Sequence, residues 1–134
     1  MDIREQINLV EQSTRPAKLE TTPLPYGEKD LDPIMSKATI DYHYEHLAKG
    51  YAKRYNHSEG NPDFNRAGSF LHNKFFPQLR APKGANKPKG AVLALIEEHY
   101  KTYEDFKEAV KEIAMKIQGS GWVYLSTSGA IKTI

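Results

Sequence analysis

Apolar residues recur at helical spacing over most of the chain and alternate only near its end. Residues 2–12 place Ile3, Ile7 and Val10 three to four apart, which predicts a short amphipathic helix that needs something to lean on. Over residues 14–25 the prolines at 16, 23 and 25 predict an extended connector, and PLPYGEKDLDPIMS prolongs it without regular structure. Ser36 suits the N-cap of a helix over 37–55, after which the Asn61-Pro62 pair interrupts the chain. A second helical pattern runs from about 65 to 79, with Phe70, Phe75 and Phe76 among its apolar residues. Two more follow, 90–102 with Val92, Leu93, Leu95, Ile96 and Tyr100, and 103–118 with Phe106, Val110, Ile113, Ala114 and Ile117. The acidic start and later lysines of the last one suit the helix dipole. GWVYLSTSGAIKTI then reads as strand, turn, strand. The expected class is mostly α.

Composition narrows the chemistry. With 39% hydrophobic and 27% charged residues, the 134-residue chain reads as one globular domain or two small layers sharing a core. No apolar run approaches the ~20 residues that a membrane helix needs, so no membrane association is expected. The opening MDIREQINLVEQS is amphipathic and carries acids, unlike a secretory or transit signal, which points to the cytoplasm. There is no cysteine, so any metal must be held by His, Asp or Glu. A net charge of +2 gives no reason to expect nucleic acid. The basic residues of RAPKGANKPKG (80–90) lie among glycine and proline and read first as a solvated loop, second as an anion-attracting surface.

Candidate chemistry centres on histidines. In TIDYHYEHLAKGY (39–51), a helix puts His43, Leu47 and Tyr51 on one stripe with Ile40 and Gly50, and His46 slightly off it. His72 sits among Phe70, Leu71, Phe75 and Phe76. Each alone reads as a core histidine satisfied by a neighbour. Two inward histidines on separate helices, both bedded in aromatics, fit metal ligands as well, because neutral imidazole is the commonest such ligand. Spacing leaves both readings open. His57 and His99 fall on polar faces and read as solvated.

Whole motifs go further. LPY (24–26), D-L-x-P (30–33), S-x-x-T-I-x-Y-H-Y (36–44), the block around His72, a K-x-x-G-x-x-L helix, F-K (106–107) and QGSGWVYL (118–125) occur in order. From residue 24 to 134 the chain resembles the iron/manganese superoxide dismutases. The resemblance implies an antiparallel helical hairpin followed by helices and the first strands of an incomplete α/β domain. It divides the chain into an N-terminal extension (1–22), a hairpin domain (23–86) and the start of the α/β domain (87–134). It assigns His43 and His72 to the metal, one manganese or iron ion, and Tyr51 to the substrate channel. Gly68 together with Gln118 matches the manganese-type arrangement, in which Gln118 hydrogen-bonds the metal-bound water. Trp122 matches a tryptophan that packs near the site, and Phe76 stands where tryptophan is frequent. The family's C-terminal D-x-W-E-H-A block has no counterpart, since no aspartate or histidine follows Asp105.

Two functions are expected from this pattern. One is superoxide dismutation, with superoxide as substrate, at a site whose aspartate and third histidine come from a missing C-terminal half. The other is a non-catalytic docking or structural subunit, for example of a virion or tail, which would be particle-associated and carry no metal of its own. The nascent strand edge at residues 122–134 suits either, since an unpaired apolar edge is a liability. Self-association, as a homo-oligomer or within a larger assembly, is expected in both.

Overall fold

The structure, a computed structural model of the chain, describes residues 3, 5, 6 and 14–134. The helix predicted over 2–12 lies outside the described residues, apart from Ile3, Glu5 and Gln6. The observed class is mostly α, with one small antiparallel sheet. The chain forms two compact units, Met1–Lys83 and Gly84–Ile134. Among the described residues no helix is long and apolar enough to cross a membrane.

The first unit is built on a helical run over residues 37–56. Ser36 caps it, its hydroxyl accepting from the Thr39 N–H at 3.1 Å. The run begins as α1 (Lys37–Ile40), opens into a wide π-helical segment (Asp41–Ala48) and closes again as α2 (Lys49–Asn56). In the π segment the Lys49 N–H reaches back five residues to the Tyr44 carbonyl. Its buried residues are Ile40, Tyr44, Ala48 and Ala52, each four apart. That corrects the predicted stripe of Ile40, His43, Leu47 and Tyr51. Leu47 is 38% exposed, and His43 and Tyr51 flank the buried line half-exposed. The wide turn supplies the reason: with more residues per turn, position i+3 falls behind the face of position i.

The second arm, α3 (Pro62–Phe75), starts three residues before the predicted 65. Asn61 accepts from the Phe64 N–H at 2.9 Å, and Pro62 occupies the first turn, where its missing N–H costs nothing. The Asn61-Pro62 pair therefore opens a helix as well as ending the loop before it. The arm also stops earlier than the predicted 79. Pro77 cannot donate to the carbonyl four residues back, and Phe76–Gln78 tightens into a 3-10 turn. Phe70, expected among the apolar packing residues, is 59% exposed.

The arms run antiparallel, because contacts pair Arg54 with Asn65, Tyr51 with Gly68, His43 with His72 and Tyr44 with Phe76. The core gathers Leu31, Ile40, Tyr44, Ala48 and Phe76, with Leu24, Tyr26, Met35, Phe75 and Leu79 against it. Tyr26 donates to the Phe76 carbonyl at 2.9 Å, which fastens the 24–35 segment over the end of α3.

Residues 15–22 form an extended strap held by side chains of both arms. Tyr55 donates to the Pro16 carbonyl at 2.6 Å. Asn56 brackets Leu19, accepting from its N–H at 2.8 Å and donating to its carbonyl at 2.9 Å. Asn73 donates to the Glu20 carbonyl and accepts from the Thr22 N–H, both at 2.9 Å. The Tyr44 hydroxyl donates to the Thr22 carbonyl at 2.9 Å. Arg15 pairs with Asp63 at 2.9 Å.

The second unit joins α4 (Gly90–Tyr100) to α5 (Tyr103–Met115), then β1 (Val123–Leu125) to β2 (Ile131–Thr133). Thr102 caps α5 by accepting from the Asp105 N–H at 3.0 Å while its own hydroxyl donates to that carboxylate at 2.7 Å. The strands pair antiparallel, Val123 with Thr133 and Leu125 with Ile131. Tyr100 ties the helix to the hairpin turn, donating to the Gly129 carbonyl at 2.9 Å and accepting from the Ile131 N–H at 3.2 Å. Gly129, at φ +84°, lets the chain turn directly under the His99 ring, where a Cβ would collide.

Ile40 is 1% exposed at the centre of the first unit, so Ile40→Ala is expected to cost about 2–5 kcal/mol through lost transfer energy and the cavity left behind. Urea unfolding followed by helical circular dichroism measures it.

Candidate metal centre

The two histidines meet where the arms cross. His43 stands in the π segment, a type of helical irregularity frequent at functional sites. His72 stands in the last turn of α3 and is 6% exposed. Their ring centroids lie 5.0 Å apart with the planes at 89°, edge to face. The His43 ring is boxed by Phe75 at 5.4 Å and Phe76 at 5.0 Å. On its open side lies a groove of about 530 Å³ lined by Ala38, Thr39, Tyr42, His43 and Leu47.

The His72 tautomer follows from its surroundings. Nδ1 lies 2.7 Å from the Gly68 carbonyl oxygen, one helical turn back. A carbonyl only accepts, so Nδ1 carries the proton and the lone pair of the neutral ring sits on Nε2. A histidine oriented by its other nitrogen in this way is the usual form of a metal-ligating imidazole.

Electrostatics act on His43 in the same sense. Its pKa is lowered from the ordinary 6.5, first by burial, which penalises the imidazolium, and second by the charge His72 would carry beside it. His43 is therefore held neutral, which is the ligating form.

Tyr51 completes the cluster in this unit. Its ring lies 5.1 Å from that of His72, inclined by 34°, and 5.8 Å from Phe64. The Arg54 guanidinium sits 4.9 Å over the Tyr51 ring. Arg54 in turn donates to the Asn65 side chain at 3.2 Å, and Asn65, 2% exposed, donates to the Glu59 carbonyl at 2.8 Å. On the other side Tyr51 lies directly against Gly68, where a Cβ would come within 2.5–2.7 Å of three of its ring carbons.

Of the residues singled out from the sequence, the first unit thus brings together His43, His72, Tyr51, Phe76 and Gly68. Gln118 and Trp122 lie in the second unit, in the link between α5 and β1, Gln118 exposed and Trp122 half-buried. His46 is exposed, its ring 5.7 Å from that of Tyr42, and His57 and His99 are exposed. The sequence reading had given no part to Arg54, Asn65, Tyr44 or Asn73. Polar residues on helices carry no signal of which neighbour they will meet. Tyr44 and Asn73 are marked in the sequence only by directly following His43 and His72.

As donors, two imidazoles suit iron, zinc, copper or nickel, while manganese would call for an added carboxylate or water oxygen. Among the described residues no group of three or more His, Cys, Asp or Glu side chains converges.

Comparison with known proteins agrees with the motifs. Residues 88–134 match the sequence profile of iron/manganese superoxide dismutases, C-terminal domain. A chloroplastic iron superoxide dismutase of Arabidopsis thaliana is 33% identical over 132 residues, an alignment covering 82% of this chain and 43% of that protein. A manganese/iron superoxide dismutase of Porphyromonas gingivalis is 33% identical over 127 residues, covering 81% and 65%. An iron superoxide dismutase of Bacteroides fragilis is 32% identical over 126 residues, covering 80% and 65%. The chain thus spans less than two thirds of the length of these curated relatives.

Two outcomes follow from this geometry. Gly68→Ala gains about 1 kcal/mol of helix propensity, but the collision with Tyr51 costs roughly 1–3 kcal/mol of overpacking. Net destabilisation, with an altered near-ultraviolet tyrosine signal, is expected from urea unfolding. For the metal-free chain, the unfolded state takes up a proton at His43 near pH 6.5 and the folded state only at lower pH. Stability is therefore fully present above 6.5 and declines as pH falls through it. Urea midpoints measured on both sides of that pH are expected to show a decline that His43→Gln reduces.

Proposed function

Because the chain belongs to the iron/manganese superoxide dismutase family, we propose that His43 and His72 are two ligands of one manganese or iron ion in a protein that dismutates superoxide. In that reaction two superoxide anions and two protons give one dioxygen and one hydrogen peroxide. The observation that carries the reading is the meeting of two imidazoles from separate helices, 5.0 Å between rings, one with its tautomer set and the other held neutral.

A bound manganese or iron ion supplies the one-electron cycle that no side chain here can perform. The protein's own part is positional and protonic. Phe75 and Phe76 hold the His43 ring and keep water from its flank. The Gly68 carbonyl holds the His72 proton on Nδ1. Tyr51, stacked beside His72, offers a hydroxyl that can hold or pass on a proton. The groove beside His43 gives a small anion a way in.

The remaining donors are proposed to come from outside this sequence. Gln118 and Trp122 enter the reading through the resemblance. The balance of manganese over iron rests on the pairing of Gly68 with Gln118.

Metal analysis of the protein isolated from its natural source tests the proposal. Expected is close to one manganese or iron per chain, with metal affinity reduced roughly 10–100-fold or more in His43→Gln and in His72→Gln, since even the partners that orient a ligand are worth that much. Protein that holds neither metal while folded would retire the enzyme and favour a non-catalytic docking subunit.

A further inference from the structure

We infer that the main chain of Thr22 is a positioning element for the histidine pair, a cross-brace that sets the spacing of the two rings. Its carbonyl accepts from the hydroxyl of Tyr44, the residue directly after His43, at 2.9 Å. Its N–H donates to the side chain of Asn73, the residue directly after His72, also at 2.9 Å. One residue of the strap therefore ties the two arms together, one position away from each histidine.

The remaining contacts of the arms near this level are mostly ring against ring, Tyr44 on Phe76 at 5.3 Å and His43 on Phe75 and Phe76. Ring contacts tolerate sliding and tilting, because apolar attraction is non-directional. Hydrogen bonds are not so tolerant, since they weaken steeply when misaligned. Thr22 therefore supplies a directional restraint on the spacing, one position from each histidine.

Thr22 is itself well anchored. Asn73 also donates to the Glu20 carbonyl, so its amide is gripped at both ends and cannot rotate away. Three residues earlier, Asn56 brackets Leu19 in the same manner, and Tyr55 holds Pro16. The strap thus bonds to α2 and, through Arg15 and Asp63, to α3 at one end, and to both the π segment and α3 at the other. Apart from the Arg15 pair, all of these bonds go to backbone groups, so the brace makes no demand on the strap's side chains.

The meaning of the brace for catalysis rests on the metal reading, but its test does not. The measurement is the nuclear Overhauser contact between the His43 and His72 ring protons in the isotope-labelled, metal-free full chain, assigned with His43→Gln and His72→Gln. Tyr44→Phe keeps the ring in the core and removes only the hydroxyl. Asn73→Ala removes the bracket. Thr22→Val alters the side chain and leaves the peptide groups in place. Expected is loss of the ring–ring contact and a shift of both histidine signals in Tyr44→Phe and in Asn73→Ala, with helical circular dichroism retained, and the wild-type spectrum in Thr22→Val.

A folded Tyr44→Phe/Asn73→Ala double variant with the wild-type contact and shifts would overturn the brace. So would Thr22→Val behaving like Asn73→Ala, since a side chain would then be responsible. If the double variant does not fold, the isosteric Tyr44→Phe decides by the same criterion. Failure of the metal reading shows itself in metal analysis and leaves this comparison untouched.

Discussion

The Tyr51 ring of one arm lies directly on Gly68 of the other, with no room for even one methyl group between them. Much of the centre depends on that approach. Gly68 also carries the carbonyl that holds the His72 proton. The absent side chain and the present carbonyl of one residue thus act together: the first admits the tyrosine beside His72, the second sets the histidine's tautomer. The resemblance treats Gly68 as half of a metal-type signature. In the structure it also has a packing reason.

Around this contact the environment disfavours charge on His43 and orients His72 through the Gly68 carbonyl. Burial opposes charge on His43, and His72 beside it adds to that opposition. Phe75 and Phe76 box the His43 ring away from the groove without offering a competing hydrogen bond. Without a metal, two such rings share an apolar crossing for little visible gain in stability. The Gly68 carbonyl keeps the His72 proton on Nδ1, so that ring turns its Nε2 lone pair outward as a ligand would. That asymmetry is the physical argument for reading them as a site rather than as core filling.

The strap shows how a segment with no regular structure can be as well determined as a helix. Among the described residues no backbone–backbone hydrogen bond reaches residues 15–22, and a polar backbone laid over a protein needs partners. Asn56 and Asn73 supply them, each amide presenting a donor and an acceptor side by side as a neighbouring strand would. The two tyrosines, Tyr44 and Tyr55, add single bonds from the same faces.

Periodicity alone determined that this protein is mostly helical and where its helices and terminal hairpin fall, because burying an apolar face demands repeats of three to four or of two. The cap at Ser36 was legible for the same local reason, whereas the helix expected to run to 79 ends at Phe75, just before Pro77. Ordered motifs determined the family, and with it His43 and His72 as the residues to watch. Three things were decided only by tertiary structure. The π turn shifted the buried line from His43 and Leu47 to Tyr44 and Ala48, since a helix of uncommon pitch has no distinct composition. The Asn61-Pro62 pair opened α3 three residues early, because the same dipeptide suits a loop and a helix start equally well. The Tyr44–Thr22–Asn73 bridge joins residues 22 and 51 positions apart, and no local pattern in the chain encodes a bond that exists only once two helices and a strap have packed.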